Sequence, residues 1–164
     1  SHGGHINVYS EPGQGTTFNF YLPASAREVV DPVALPDQAL RRGSETVLLI
    51  DDEEMILEVG SGLLQELGYT VVTALSGPEA LGIYTARQSE IAMVVMDMIM
   101  PGMGGGETFD RLKEINPAVK VLLSSGYSIN GQASHIMERG CDGFIQKPFT
   151  MQQLSARMRE ILDR

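Results

Sequence analysis

The sequence predicts an α/β domain over residues 45–164, a parallel five-stranded sheet covered by helices, with a β-hairpin and a linker ahead of it. Two patterns carry that prediction. After Glu45, five short apolar runs alternate with amphipathic stretches, and strands joined through helices pair in parallel. Before residue 24, apolar residues recur at every second position, stop at a Pro-Gly turn and resume, which is the period of two antiparallel strands.

Taken in order, His5 to Ser10 alternates through Ile6 and Val8, Glu11-Pro12-Gly13-Gln14-Gly15 turns the chain, and Thr16 to Leu22 alternates through Phe18, Phe20 and Leu22. A lone hairpin is marginal in water, so this one must lean on another surface or have lost its original sheet. Residues 24–44 show neither period, and Pro32 and Pro36 discourage helix, so they read as a linker. The five predicted strands are Thr46 to Ile50, Thr70 to Ala74, Ile91 to Met96, Val119 to Leu123 and Gly143 to Gln146. Ile56, Val59, Gly60, Leu63, Leu64 and Leu67 recur at helical spacing between the first two, and Gly68 follows as a stop. Ser76-Gly77-Pro78-Glu79 has the spacing of a capping box, and Thr150-Met151-Gln152-Gln153 repeats it ahead of a helix with Met151, Leu154, Met158, Ile161 and Leu162 on one face. The third and fourth helices are expected near Glu107 to Ile115 and Ile129 to Arg139.

Bulk properties exclude several classes. A chain of 164 residues, 43% of them hydrophobic, can bury a core without disulfides or a structural metal. Twelve Lys and Arg against 21 Asp and Glu give a net charge of -9, which repels nucleic-acid phosphates and anionic headgroups, so neither nucleic acid nor membrane is an expected partner. The single cysteine, Cys141, cannot close an internal disulfide and reads as a packed thiol. The apolar run Ile91 to Met100 is too short to span a bilayer and carries Asp97 inside it. The first residues lack both regions of a signal peptide and an initiating Met, so the chain is expected to be a piece of something longer.

In an open parallel sheet, functional groups gather where strands end at their carboxyl edge. Here the first strand runs into Asp51-Asp52, the third into Asp97, the fourth into Ser124-Ser125 and the fifth into Lys147-Pro148. Singly, each has a plain explanation: Asp51 and Asp52 as acids favouring a helix dipole, Lys147 as a counter-ion, Ser124 as a small residue satisfied by backbone. Asp97 is harder to explain so, because a buried strand carries its charge to the sheet edge, where it needs compensation. Together, three carboxylates and one ammonium sum to a charge that a single divalent cation would neutralise. Oxygen donors without His or Cys nearby favour Mg2+ over zinc or copper.

The order Asp51-Asp52, then Asp97-Met98-Ile99-Met100-Pro101-Gly102-Met103-Gly104-Gly105, then Ser124, then Lys147-Pro148-Phe149 resembles the receiver domain of bacterial response regulators over nearly the full length of that domain. The resemblance implies a doubly wound, flavodoxin-like sheet of order 2-1-3-4-5 with helices on both faces. It implies that Asp97 accepts a phosphoryl group, and that Asp51, Asp52, Asp97 and the carbonyl of Ile99 hold Mg2+. It also implies that Lys147 and Ser124 contact the phosphoryl oxygens, that Phe144 turns inward as Ser124 moves, and that the Lys147-Pro148 peptide is cis. Ser124 stands where Thr is more usual, and Ile99 and Gly126 fill two variable positions that influence hydrolysis of the acyl phosphate. The run Gly102-Met103-Gly104-Gly105-Gly106 lacks the Gly-Lys-Ser/Thr ending of a phosphate loop, and Met93 to Met103 reads as core and loop packing. No role falls to His2, His5 or His135.

Residues 3–23, from Gly3-Gly4-His5-Ile6 through Glu11-Pro12-Gly13-Gln14-Gly15-Thr16-Thr17-Phe18 to Tyr21-Leu22-Pro23, look like the final hairpin of the ATP-binding domain of sensor histidine kinases. That resemblance implies a hybrid kinase in which residues 1–23 are a kinase remnant, 24–44 a linker and 45–164 a carboxyl-terminal receiver. The motifs that bind ATP in that family are missing from these residues, so this chain is not expected to be an enzyme. The expected partner is a histidine kinase or histidine phosphotransfer domain in the cytoplasm, with weak homodimerisation also open. An aspartate-nucleophile phosphatase would normally carry a second acid where Ile99 stands, and a degenerate receiver that only binds partners would not need the full acid, hydroxyl and lysine set.

Overall fold

The computed structural model describes residues 3–23, 40–126 and 132–164, in two compact units, Ser1–Asp37 and Gln38–Arg164. In the first, β1 (His5–Glu11) and β2 (Gly15–Tyr21) pair antiparallel with Ile6 opposite Phe20 and Val8 opposite Phe18. Alternation therefore puts these four apolar side chains on one face, where all remain exposed and the Phe18 and Phe20 rings stack at 6.4 Å. The hairpin forms as predicted and has no core of its own among the described residues.

The second unit is the predicted parallel sheet. Strands β3 (Thr46–Ile50), β4 (Thr70–Ala74), β5 (Ile91–Asp97), β6 (Val121–Ser125) and β7 (Gly143–Gln146) lie in the order β4-β3-β5-β6-β7, which is 2-1-3-4-5 counted within this unit. Leu48, Ile50, Val94, Met96, Val121 and Leu123 pack on one side against α2 (Gly77–Arg87), α3 (Gly105–Ile115) and α4 (Gln132–Glu138). Val47, Leu49, Met93, Val95, Leu122 and Ile145 pack on the other against α1 (Glu54–Glu66) and α5 (Met151–Leu162). Burial on both faces is why the strands read as continuous apolar runs instead of alternating ones.

Four local expectations are corrected. Strand β6 begins at Val121, two residues later than its apolar run: Val119 is buried but belongs to the turn after α3, donating its N–H to Asn116 while its carbonyl accepts from the Lys113 ammonium at 2.8 Å. Ser124 and Ser125 instead pair with Ile145 and Gln146, because polar residues extend a strand wherever a neighbour offers register. Helix α1 buries Leu57 and Leu64, while Ile56 and Val59 face solvent. Its buried face is set by Gly60, where a Cβ would come within 2.9 Å of the Leu49 side chain. At α2, Ser76 accepts from the Glu79 N–H at 3.4 Å, but Glu79 reaches back to the N–H of Leu75, so the predicted box closes one residue early. Finally, Arg41 to Ser44, the end of the predicted linker, is bonded to the receiver unit: Gly43 donates to the Leu67 carbonyl at 3.0 Å, and a Cβ on Gly43 would run into the Tyr69 ring.

The remaining helices agree. Gly68 takes φ +95° after α1, a left-handed turn that glycine adopts without a Cβ penalty. Thr150 and Gln153 form both halves of the box that opens α5, and Leu154, Met158 and Ile161 are buried. Residues 129–131 of the predicted fourth helix lie outside the described residues.

Candidate functional site

Three strand ends bring the predicted groups to one edge. Asp51 directly follows β3, Asp97 ends β5, and Lys147 directly follows β7. The Lys147 Nζ donates to Asp51 Oδ2 at 2.8 Å and to Asp97 Oδ1 at 2.7 Å, so one ammonium joins two carboxylates from neighbouring strands. The side chains of Asp51, Asp97 and Lys147 keep only 5%, 12% and 27% of their exposure. Burial by itself would disfavour the charge on Lys147, yet the bonds to Asp51 and Asp97 outweigh it and hold the ammonium above the ordinary lysine range.

The other oxygens of the two acids are also held. Asp51 Oδ1 accepts from the N–H of Glu53 at 3.1 Å, and Asp97 Oδ2 from the N–H of Ile99 at 2.7 Å. A carboxylate offers about four lone-pair directions, so each oxygen keeps acceptor capacity. The Ile99 side chain is exposed at the rim. Ser124 pairs in register with Asp97, and its buried hydroxyl donates to the Met96 carbonyl at 3.3 Å. Phe144, opposite Leu123 in β7, is packed into the core. The Lys147-Pro148 peptide is cis.

Asp52 stands apart from this trio. It is exposed beside Asp51, and among the described residues no three acids come together closely enough to hold a metal ion. The chemistry of the donors nevertheless fits a hard cation: the carboxylates that meet here are all-oxygen, already share one positive partner and have acceptor positions to spare.

Sequence reasoning missed how the loop after Asp97 is positioned. A Cβ on Gly105 would lie 2.7 Å from the Asp97 carbonyl oxygen and 2.8 Å from Met98 Cα, so α3 approaches the acid's own backbone only because that residue is glycine. Gly77, opening α2, is likewise closed against Thr108 and Met103. The glycine run after Pro101 was the available signal, and its use is steric. Met93, Met96, Met98 and Met100 are buried, and Cys141 is a buried thiol whose ionisation burial pushes up.

The surface beside the site was also not foreseen. On α1, Met55 and Val59 are 74% and 59% exposed with Ile56 beside them, and Asp52, Glu53, Glu54 and Glu58 surround them. No helix among the described residues is long and apolar enough to cross a membrane.

A doubly wound sheet whose central strand ends in a carboxylate, clasped through lysine to a second acid, defines a class of α/β fold with an acidic site at the carboxyl edge of its sheet. Comparison with known proteins specifies it: the chain belongs to the response regulator receiver domain family, whose profile matches residues 47–159. It is 37% identical to the sensor kinase CckA of Brucella abortus over 99% of its own length, which is 18% of that kinase. Among solved structures, a response regulator receiver domain protein from Clostridium thermocellum superposes with a TM-score of 0.71 at 33% identity, covering 73% of this chain and 95% of that one. The receiver domain of the hybrid histidine kinase CckA gives 0.60 at 28%, covering 71% and 98%. The chain is thus a receiver domain of two-component signalling, with an amino-terminal hairpin.

Proposed function

We propose that Asp97 is the residue that takes a phosphoryl group from a phosphohistidine. The observation that carries this reading is the pair of hydrogen bonds from Lys147 to Asp51 and Asp97, which holds the Asp97 carboxylate at the sheet edge and puts a positive charge beside the atoms that would receive the phosphoryl group. In the transfer, an Asp97 oxygen attacks phosphorus, the O–P bond forms as the donor's P–N bond breaks, and the imidazole leaves. Such a reaction asks little of a protein beyond alignment and charge stabilisation. Lys147 supplies charge, the Ile99 N–H holds the second Asp97 oxygen, and the Ser124 hydroxyl exchanges the Met96 carbonyl for a phosphoryl oxygen. Residues Asp51, Asp52 and Asp97 with the Ile99 carbonyl would hold Mg2+. When bound, the ion neutralises phosphoryl charge. Phe144 lies one strand from Ser124 and already fills the core, so the switch at the β6–β7 surface starts from an inward ring.

The donor is proposed to dock through α1. The apolar stripe Met55, Ile56 and Val59 within a ring of acids, next to the phosphoacceptor edge, suits a helix that is apolar at its centre and basic at its rim. A histidine-bearing helix of a kinase or phosphotransfer domain has the shape for it. The kinase likeness across 99% of the chain supports assigning residues 1–23 to the end of a kinase ATP-binding domain, whose remaining surface would cover the apolar hairpin face, and the receiver to its cytoplasmic output.

The test is chemical. Incubation with phosphoramidate and Mg2+ is expected to give an acid-labile adduct of one phosphoryl group, absent in Asp97→Asn. No adduct on the natural chain refutes a phosphoacceptor in favour of a binding-only receiver. Turnover of unrelated phosphate esters points to a phosphatase.

A further inference from the structure

We propose that the segment Arg41 to Glu45, where the chain enters the receiver, is clamped by α5 so that it reports the state of the phosphoacceptor site; this rests on phosphorylation of Asp97 as proposed above. The clamp is a stripe of α5 spaced by four residues. Ser155, buried within the helix, donates its hydroxyl to the Arg41 carbonyl and accepts from the Arg41 N–H, both at 2.8 Å. One turn on, Arg159 binds Glu45 Oε1 at 2.7 Å, and a further turn on, Asp163 binds the Arg41 guanidinium at 2.8 Å and Arg159 as well. Residues four apart share a helix face, so positions 155, 159 and 163 address one segment while Leu154, Met158 and Ile161 address the core. The segment has little freedom on its inner side, because a Cβ on Gly43 would meet the Tyr69 ring and one on Gly68 would meet the Gly43 carbonyl.

The same helix begins at the site. Lys147, bonded to Asp51 and Asp97, lies three residues before Thr150, whose reciprocal bonds with Gln153 at 2.8 and 3.2 Å lock the first turn of α5. A phosphoryl group on Asp97 carries its charge beyond the carboxylate oxygen that Lys147 now binds. Lys147 must reach outward to follow it, and the short Pro148–Thr150 connection passes the displacement to α5. A helix moves as a rigid body, so Ser155, Arg159 and Asp163 shift together and loosen their grip on Arg41 and Glu45, the two ends of the stretch that holds the Gly43 N–H against the Leu67 carbonyl. Signal then leaves the receiver along the chain itself.

Hydrogen exchange on the full chain, read at the Arg41 and Gly43 amides with adduct fraction from intact mass, tests this. With phosphoramidate and Mg2+, both amides are expected to exchange about threefold faster or more, with no response in Asp97→Asn. In unmodified Ser155→Ala, losing the bond that the Arg41 N–H donates should speed its exchange by about fivefold, the factor for one net hydrogen bond. Phosphorylation should then add nothing. Gly43→Ala, which leaves α5 untouched, should show the same acceleration. Full adduct formation with unchanged exchange overturns the coupling and leaves the phosphoacceptor reading intact; absence of adduct overturns both. Exchange in Ser155→Ala and Gly43→Ala equal to that of the natural chain overturns the clamp itself.

Discussion

Lys147→Met isolates the electrostatic proposition on which the site depends. The substitution keeps the length of the side chain but removes the cation from between two carboxylates with 5% and 12% of their exposure. At an effective dielectric of about 20, each unit pair at 2.7–2.8 Å attracts by about 6 kcal/mol. Desolvation cancels most of that, and because Lys147 retains 27% of its exposure the penalty falls below that of a fully buried pair. The expected loss is about 2–3 kcal/mol of unfolding free energy at pH 7, measured by urea denaturation followed by far-UV circular dichroism. The pH dependence has a definite sign. In the natural chain the ammonium is held above its ordinary value of 10.5, so its contribution is complete at neutral pH and is lost only as pH rises through that elevated value. The deficit should therefore be flat around neutral pH and shrink only as pH rises through the elevated lysine value. Mg2+ should restore more stability to the variant than to the natural chain. A variant within about 0.5 kcal/mol of the natural chain at pH 7, or a deficit that already shrinks between about pH 7 and 9, would refute the reasoning.

Three further outcomes follow from the same geometry. Gly105→Ala should cost about 1–3 kcal/mol by thermal or urea unfolding and slow labelling of Asp97, since its methyl must displace the Asp97 and Met98 backbone. Thr150→Ala removes the hydroxyl that accepts from the Gln153 N–H, while the backbone half of the α5 box survives, for an expected loss of about 1 kcal/mol by urea unfolding. Val59→Glu should change stability by less than about 0.5 kcal/mol, yet slow transfer from a phosphohistidine protein at least about tenfold while leaving labelling by phosphoramidate unchanged; equal slowing of both would place the α1 stripe outside donor docking.

The sequence by itself determined the fold class, three of the five parallel strands to the residue, and the identity of the residues at the strand ends. These are local consequences of period and position: a strand buried on both faces must be apolar throughout, and a charge at its end must sit at the sheet edge. It also determined the hairpin, whose alternation needs no tertiary information.

Tertiary structure decided what depends on a partner from far along the chain. The face that α1 buries turned on Gly60 meeting Leu49, so Ile56 and Val59, apolar at helical spacing, were left on the surface. Val119 and Ser124 exchanged the parts their hydropathy assigned them, because register with β5 and β7 governs where β6 begins and ends. That Lys147 would bond Asp51 and Asp97 while Asp52 faced solvent, and that residues drawn as linker would be gripped by Ser155, involve contacts spanning from 50 to 114 positions. Periodicity records only the environment of neighbours a few residues apart, whereas a contact between distant residues exists only once the sheet has set both ends in place.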